Sequence, residues 1–342
     1  MSERILSRRE LNRALLTRQL LLDRPRLPVA RALERVAGLQ AQDARAPYIG
    51  LWSRLDGFGR TELTRALRAR RIVKATLMRG TLHLVSARDY GFFLPALLPT
   101  LRDFWRRYRS GLGQVSGVDE LAARALTFAA EPRSATELRA FLGGDDPWFF
   151  VRMHAPFLHA PTGDDWAFRR SPSLVAAEAW LERPPDTEAG GVVHLLRRYL
   201  SAFGPASLPD AATWSGLPIS ALRTAADLLP LKQFRSESGY VLLDLRGAPL
   251  PPPETPAPVR LLPPFDNLVL SHADRTRVVS DEDRRTIIRG GIVDPIFLVD
   301  GFVAGRWRLE RGKIALEPFR PLPAGAEDAL REEAGRLEEF LA

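Results

Sequence analysis

The residues of this chain whose types and spacing could do chemistry lie in one short stretch, Gly38-Leu39-Gln40-Ala41-Gln42-Asp43. Polar side chains two apart share a face only where the backbone is extended. Gly38 is a usual place for the preceding amphipathic helix, Val29 to Gly38, to stop. An extended segment beyond it would point the amides of Gln40 and Gln42 together into a groove or pocket. Glutamine cannot be a strong general base, but its amide oxygen can hold a water and orient it. Asp43 could serve as a true base if its carboxylate faced the groove. An adjacent residue in an extended segment points the other way, however, and aspartate is a favoured cap before a helix. Buried amides are costly unless hydrogen-bonded. Taken alone, the stretch fits better with glutamines that cap or bridge neighbouring backbone.

The rest of the chain must supply the setting. At 342 residues it is long for one core, and two to four modules are expected. Hydrophobic and charged fractions are those of ordinary globular protein. With no cysteine there is no disulfide frame, thiol nucleophile or cysteine metal site. His83, His154, His159, His194 and His272 are scattered without zinc-ligand spacing, so neither a metal nor another cofactor is expected. The net charge is +8, carried almost wholly by arginine, with lysine only at 74, 232 and 313. Such a balance attracts polyanions, of which duplex nucleic acid is the commonest. The start, Met1 to Glu10, is polar rather than a signal peptide, and no apolar run approaches about 18 residues. A cytoplasmic protein without a membrane is expected.

Ser7-Arg8-Arg9-Glu10 reads as a capping box opening a helix through Leu22. Helices follow over Val29 to Gly38, Ile49 to Leu55 and Glu62 to Arg70. Two β-rich runs, Ile72 to Met78 and Thr81 to Val85, then flank Arg79-Gly80 as a hairpin. Three helices before a hairpin is the plan of a winged helix. Helices from Val118 to Leu158, with a capping box at Ser134 to Glu137, precede a candidate second wing over His159 to Phe168. A helix over Leu217 to Leu229 precedes a third hairpin, Leu231 to Leu243. Hairpins thus recur at roughly 80-residue intervals, as tandem modules would. Pro249 to Pro258 reads as a stiff linker. Strands then run over Val259–Leu262, Asn267–Leu270, Ile296–Val299, Val303–Leu309 and Lys313–Leu316, closed by a helix from Ala324 to Leu341. The expected fold class is α+β, with three tandem winged-helix modules followed by a small C-terminal β-barrel domain. The boundaries are 1–115, 116–188 and 189–246 for the modules, 247–258 for the linker and 259–342 for the barrel and last helix.

Several stretches resemble the winged-helix DNA glycosylases of the AlkZ/YcaQ type. They are Gly38 to Gln42, Leu51 to Arg54, Met78 to Val85, Trp214 to Leu217, Leu261 to Asn267 and Val299 to Trp307, in the family's order and over nearly the whole chain. The resemblance implies excision of bulky N7-alkylated purines from double-stranded DNA, including unhooking of interstrand crosslinks, by a monofunctional glycosylase. It implies that the family's catalytic glutamine motif falls on Gln40-Ala41-Gln42, the AlkZ-like branch. Some members of that branch protect a producer from its own genotoxin. In this setting Gln40 and Gln42 would jointly position the attacking water.

DNA contacts are expected from Arg45 and Arg54, which flank the motif, and from Arg79 at the tip of the first wing, where a solvated turn residue is an equal reading. His83 could contact lesion or phosphate, although a lone histidine in an apolar strand is more often a bonded core residue. Arg102, Arg106, Arg107 and Arg109 surround Phe104, Trp105 and Tyr108 as a phosphate track would. Asp266 and Asn267 are read as structural, because an Asx residue before a strand usually bonds local backbone. The expected protein is a monomer held at the nucleoid. The competing expectation is a non-catalytic winged-helix protein, either a regulator or a lesion binder, since fold alone does not imply function. No nucleophile elbow, P-loop or dinucleotide fingerprint is present.

Overall fold

The computed structural model describes residues 4–108, 117–163, 166–168, 172–181 and 190–342, with the side chains of 104–108 outside that description. Helices precede a hairpin three times along these residues, and the class is α+β. The first helix, Arg8–Arg18, starts at the expected capping box: Glu10 N–H donates to Ser7 Oγ, and Ser7 N–H donates back to Glu10. It stops short of Leu22, because Leu20 adopts a positive φ. Asn12, Arg13 and Arg18 on it are buried. Arg18 is buried in a two-pronged bond to Asp244, and Asn12 and Arg13 bond backbone of the C-terminal half.

The first hairpin, Ile72–Thr76 with Leu82–Ser86, is where the sequence puts it. The second is shifted: Phe157–Ala160 pairs with Ser173–Ala176, not with the stretch ending at Phe168. A turn-rich segment reads as the return strand, but the apolar run that matches the first strand lies further on. These hairpins join into one six-stranded sheet through Ala75 opposite Leu158, and the segment Leu39–Gln40 forms its edge beside Leu82–Ser86. The third hairpin, Leu231–Ser236 with Val241–Leu245, takes Ile5–Leu6 as a parallel third strand. The helix expected over Leu217 to Leu229 is Ile219–Asp227, separated from Leu208–Ser215 by Gly216.

The expected barrel is not closed. Arg260–Leu262, Ile296–Val299, Phe302–Glu310 and Lys313–Pro318 form an open antiparallel row. The last helix, Ala326–Leu341, lays Leu330, Ala334 and Leu337 over Leu261, Phe297 and Trp307. A helix that buries the apolar face of a sheet removes the need for closure. Asn267–Val269 is a short 3-10 turn capped by Asp266, not a strand. The proline-rich stretch is no free spacer, since Arg9, Arg13 and Arg18 donate to the carbonyls of Pro253, Thr255 and Pro249. Among the described residues no helix is long and apolar enough to cross a membrane.

The C-terminal half also grips the glutamine segment. Asn267 Nδ2 donates to the Gly38 carbonyl at 2.8 Å. Asp266 takes Arg54 on both oxygens, at 2.8 and 2.9 Å, with both side chains out of solvent. Removing one partner of such a pair strands a buried charge, which costs about 3–5 kcal/mol. Asp266→Asn, which preserves size and the cap, is therefore expected to lower the unfolding free energy in urea by that order. Adding Arg54→Met should recover most of the loss. A cost below about 1 kcal/mol for the single change would mean that the pair does not hold the halves together.

Candidate active site

Ala37 and Gly38 both have positive φ where the helix Val29–Arg35 ends. At Gly38 a Cβ would stand 2.8 Å from Val85 Cγ1 and 2.9 Å from the Leu84 carbonyl oxygen. Glycine is thus required by close approach to the hairpin as well as by conformation. The chain leaves it extended, Gln40 opposite His83, and Ala41 N–H bonds the Leu82 carbonyl at 2.7 Å. The expected extended segment is therefore present. Its two amides, however, are each held separately. Gln40 is buried, and its Oε1 accepts from Arg79 Nη2 at 3.1 Å. Gln42 is exposed, and its Oε1 accepts from Leu82 N–H at 2.8 Å. Each oxygen keeps a second lone pair, and each amide nitrogen has two protons to give.

Asp43 behaves as a cap: its Oδ1 accepts from the N–H groups of Arg45 and Ala46, at the start of the helix Ala46–Trp52. Arg45 remains exposed, its guanidinium 5.4 Å from the Trp166 ring centre, which Arg60 also approaches at 5.0 Å. That aromatic flanked by two cations lies beside the motif and suits a nucleic-acid backbone.

Three expected DNA contacts are repositioned. Arg54 is consumed by the Asp266 pair and has no route to a phosphate. Arg79 is not a free wing tip: its φ of 56° turns the chain inward, and it bonds Gln40 and the Trp214 carbonyl. Burial, and then the charge of Arg275, bring its pKa down to about 10, so it stays a cation at neutral pH. His83 is buried, with Nδ1 3.0 Å from the Thr81 carbonyl. A carbonyl can only accept, so Nδ1 carries the proton and Nε2 is bare. Burial holds His83 down to about 3, and Arg79 adds to this, so the ring is neutral at working pH. Arg102 bonds the His154 carbonyl and ties two helices together. The side chains of Arg106 and Arg107, and Arg109 as a whole, lie outside the described residues.

The sequence reading missed other groups that the fold brings here. Arg275 stands near enough to weigh on Arg79, making a positive corner behind Gln40. A cavity of about 360 Å³ opens beside Gln42, Gly80 and Leu82, with Arg139 and Arg152 among its lining. The capping box at Ser134 places Arg139 on a helix, but nothing local says which side of the molecule that helix faces. On the opposite face of the sheet from Gln40, Lys74 is buried with Nζ 4.4 Å from the centre of the Phe168 ring. Burial draws it down to about 8, against the opposing pull of Asp43.

A family model described as DNA glycosylase AlkZ-like matches residues 33–340. An interstrand DNA cross-link repair glycosylase from Streptomyces sahachiroi is 25% identical over 352 residues, spanning 94% of this chain and 92% of that protein. The solved structure of Streptomyces sahachiroi DNA glycosylase AlkZ aligns with a TM-score of 0.81 at 20% identity, over 98% of this chain and 97% of that one. The mixed α+β fold is common to both.

Lys74 gives a test of the site's electrostatics. Its folded pKa of about 8 lies below the ordinary 10.5. Folding therefore bears the cost of a buried charge at any pH below about 8, and that cost fades as the pH rises toward 10.5. Lys74→Met is expected to stabilise the fold by about 1–2 kcal/mol at pH 7, after allowing for the lost contact with Phe168. The gain in thermal midpoint should shrink steadily between pH 8 and 10. A gain that does not change with pH would point to packing instead.

Proposed function

The chain belongs to the AlkZ-like family of DNA glycosylases, and from that premise we propose that it hydrolyses the N-glycosidic bond of bulky N7-alkylated purines in duplex DNA. Interstrand crosslinks formed by such alkylation are included, a reading supported by the cross-link repair activity for which the Streptomyces sahachiroi relative is named. Protection of the cell against a crosslinking genotoxin follows from that activity. In this reading the three helix-then-hairpin blocks act as winged-helix modules that lay the protein along the duplex, and it works as a monomer at the nucleoid.

The observation that carries the proposal is the pair of amide oxygens fixed at the sheet edge, by Arg79 at Gln40 and by Leu82 N–H at Gln42. Alkylation at N7 makes the base cationic and a good leaving group. The bond from C1′ breaks with its electron pair going to the purine, which departs neutral, and the sugar passes through an oxocarbenium-like state. A water adds to C1′, loses its proton to solvent and leaves an abasic sugar. Gln42, at the surface, holds that water through its second lone pair, and the Leu82 bond fixes where the oxygen points. Gln40, clamped by Arg79, completes the seat and faces the cationic sugar with its carbonyl dipole. Orientation of this kind is worth several kcal/mol without any proton transfer by the protein. Arg79, Arg275 and Arg45 supply positive charge for the flanking phosphates.

Gln40→Ala and Gln42→Ala together are expected to slow single-turnover excision of N7-methylguanine by about 100-fold or more, while duplex affinity changes little. Alkali-revealed strand breaks measure this. Equal break yields from both proteins would remove the glutamines from catalysis, and binding without breaks from either would favour a lesion binder.

The amides do not titrate, and His83 is neutral above about 3. Between pH 5 and 7, below the range in which Lys74 titrates, the excision rate should therefore be nearly flat. An acid-side loss that Asp43→Asn abolishes would transfer the base role to Asp43.

A further inference from the structure

We propose that a second cavity, walled by arginines and remote from the glutamines, is a binding site for a compact polyphosphate anion. About 510 Å³ is open there. It lies between the start of the helix Val29–Arg35, the first turn of the long helix Ala87–Tyr108, the helix Gly191–Phe203 and the end of the strand Val241–Leu245. Gly191 lets two of these walls meet, since a Cβ there would stand 2.8 Å from the Phe92 carbonyl oxygen. Gln42 is held by Leu82, the first residue of the strand Leu82–Ser86, whereas Arg88 follows its last. The length of that strand alone is about 13 Å. The cavity is therefore no part of the water seat.

The walls carry one sign of charge. Arg31, Arg88, Arg197, Arg198 and Arg246 line the cavity together with His194. Residues 194, 197 and 198 share one helix face by their spacing. Two buried carboxylates hold part of the set in place. Asp89 Oδ1 accepts from His194 Nε2 at 2.8 Å and from Arg198 Nε at 2.9 Å. Glu34 Oε2 accepts from Arg31 Nη1 at 2.8 Å, and Arg198 Nη2 stands 3.5 Å from the same atom. The His194 ring is fixed further by stacking on Phe92, with centres 4.2 Å apart. Arg88, Arg197 and Arg246 are exposed and, among the described residues, have no carboxylate partner. Five guanidinium groups against Asp89 and Glu34 leave three positive charges uncompensated, without counting His194.

Charge density sets the class. Duplex DNA presents single charges in rows, one per about 3.4 Å of axis on each strand, and a stripe of cations matches that. Here the cations come from four elements and converge on one concave point. Guanidinium groups held together repel one another, and an anion with several charges close together relieves that repulsion most. Each guanidinium can also take two phosphate oxygens at once. A chain of two or three phosphoryl groups supplies oxygens for Arg88, Arg197 and Arg246 together. A single phosphodiester or a sulfate supplies too few. The ligand class is thus a polyphosphate, free or carried by a nucleotide.

The test is isothermal titration of the full chain with inorganic tripolyphosphate, in magnesium-free buffer at constant ionic strength. One-to-one binding in the micromolar range is expected, with a rise in thermal midpoint at saturating probe. Sulfate at the same ionic strength should bind at least about tenfold more weakly. Arg197→Gln with Arg246→Gln changes two exposed side chains. That double variant should keep the wild-type thermal midpoint and lose at least about tenfold in affinity for the probe. ATP, titrated in the same way, separates the two sources, and either result keeps the site. Equal affinity means that the phosphate chain alone is read, and a gain of tenfold or more means that a nucleoside is read with it. Millimolar binding of tripolyphosphate, or an affinity that the double variant leaves unchanged, would overturn the site. So would displacement of the probe by an undamaged duplex of about 20 base pairs together with an equal loss of duplex affinity in the double variant. That result would assign these arginines to the duplex backbone.

Discussion

The glutamine segment is held in place by contacts from the far end of the chain. Asn267 binds the carbonyl of Gly38, and Asp266, its neighbour, neutralises Arg54 at the end of the helix that follows the motif. A two-residue strand at a sheet edge has too few ladder bonds to fix its own register. Here the register is imposed from both sides: the hairpin supplies the ladder, and the Asp266-Asn267 turn pins the entry and exit. The Leu261-to-Asn267 stretch and the Leu51-to-Arg54 stretch are then parts of one clamp. So is the Val299-to-Trp307 stretch, because Trp307 Nε1 donates to the Leu262 carbonyl beside it.

That clamp explains how a segment bearing two uncharged amides can be well ordered. An amide has no charge to orient it, so its direction must come from neighbours. Gln40 receives one from Arg79, which is itself fixed on the Trp214 carbonyl. Gln42 receives one from hairpin backbone. The sheet also separates two electrostatic settings. One face carries neutral His83 and the Arg79–Arg275 corner, and the other carries Lys74 over its aromatic ring with Asp43 nearby. Because cross-strand partners share a face, a slip of one residue would exchange these settings.

What was legible in the sequence was what is decided locally. Ser7 with Glu10 and Ser134 with Glu137 are capping boxes in sequence and in structure, because both partners lie within one turn. The first hairpin was legible because two β-rich runs flank residues suited to a tight turn. The inward turn of Arg79 was not, since a positive φ at an arginine follows from where Gln40 and Trp214 sit. Nor was the fate of Arg54, whose partner lies 212 residues away. Barrel closure failed for the same reason: alternation identifies strands, but whether the end strands meet depends on what covers the sheet. The motif itself stood out, yet its separate anchoring, one amide buried and one exposed, is a property of the hairpin and not of the six residues.

The bond between Asn267 and Gly38 spans 229 positions, and that length has a consequence for how the protein is made. Synthesis proceeds from the N-terminus, and at about 5–20 residues per second the clamp leaves the ribosome some 10–50 seconds after the glutamines do. Until then the edge strand has its hairpin but not its clamp, and Arg54 has no counter-ion. A nascent or prematurely ended chain can therefore carry basic surface and engage DNA without presenting an ordered pair of amides. Late arrival of the clamp makes the order of the glutamine segment a property of the finished fold.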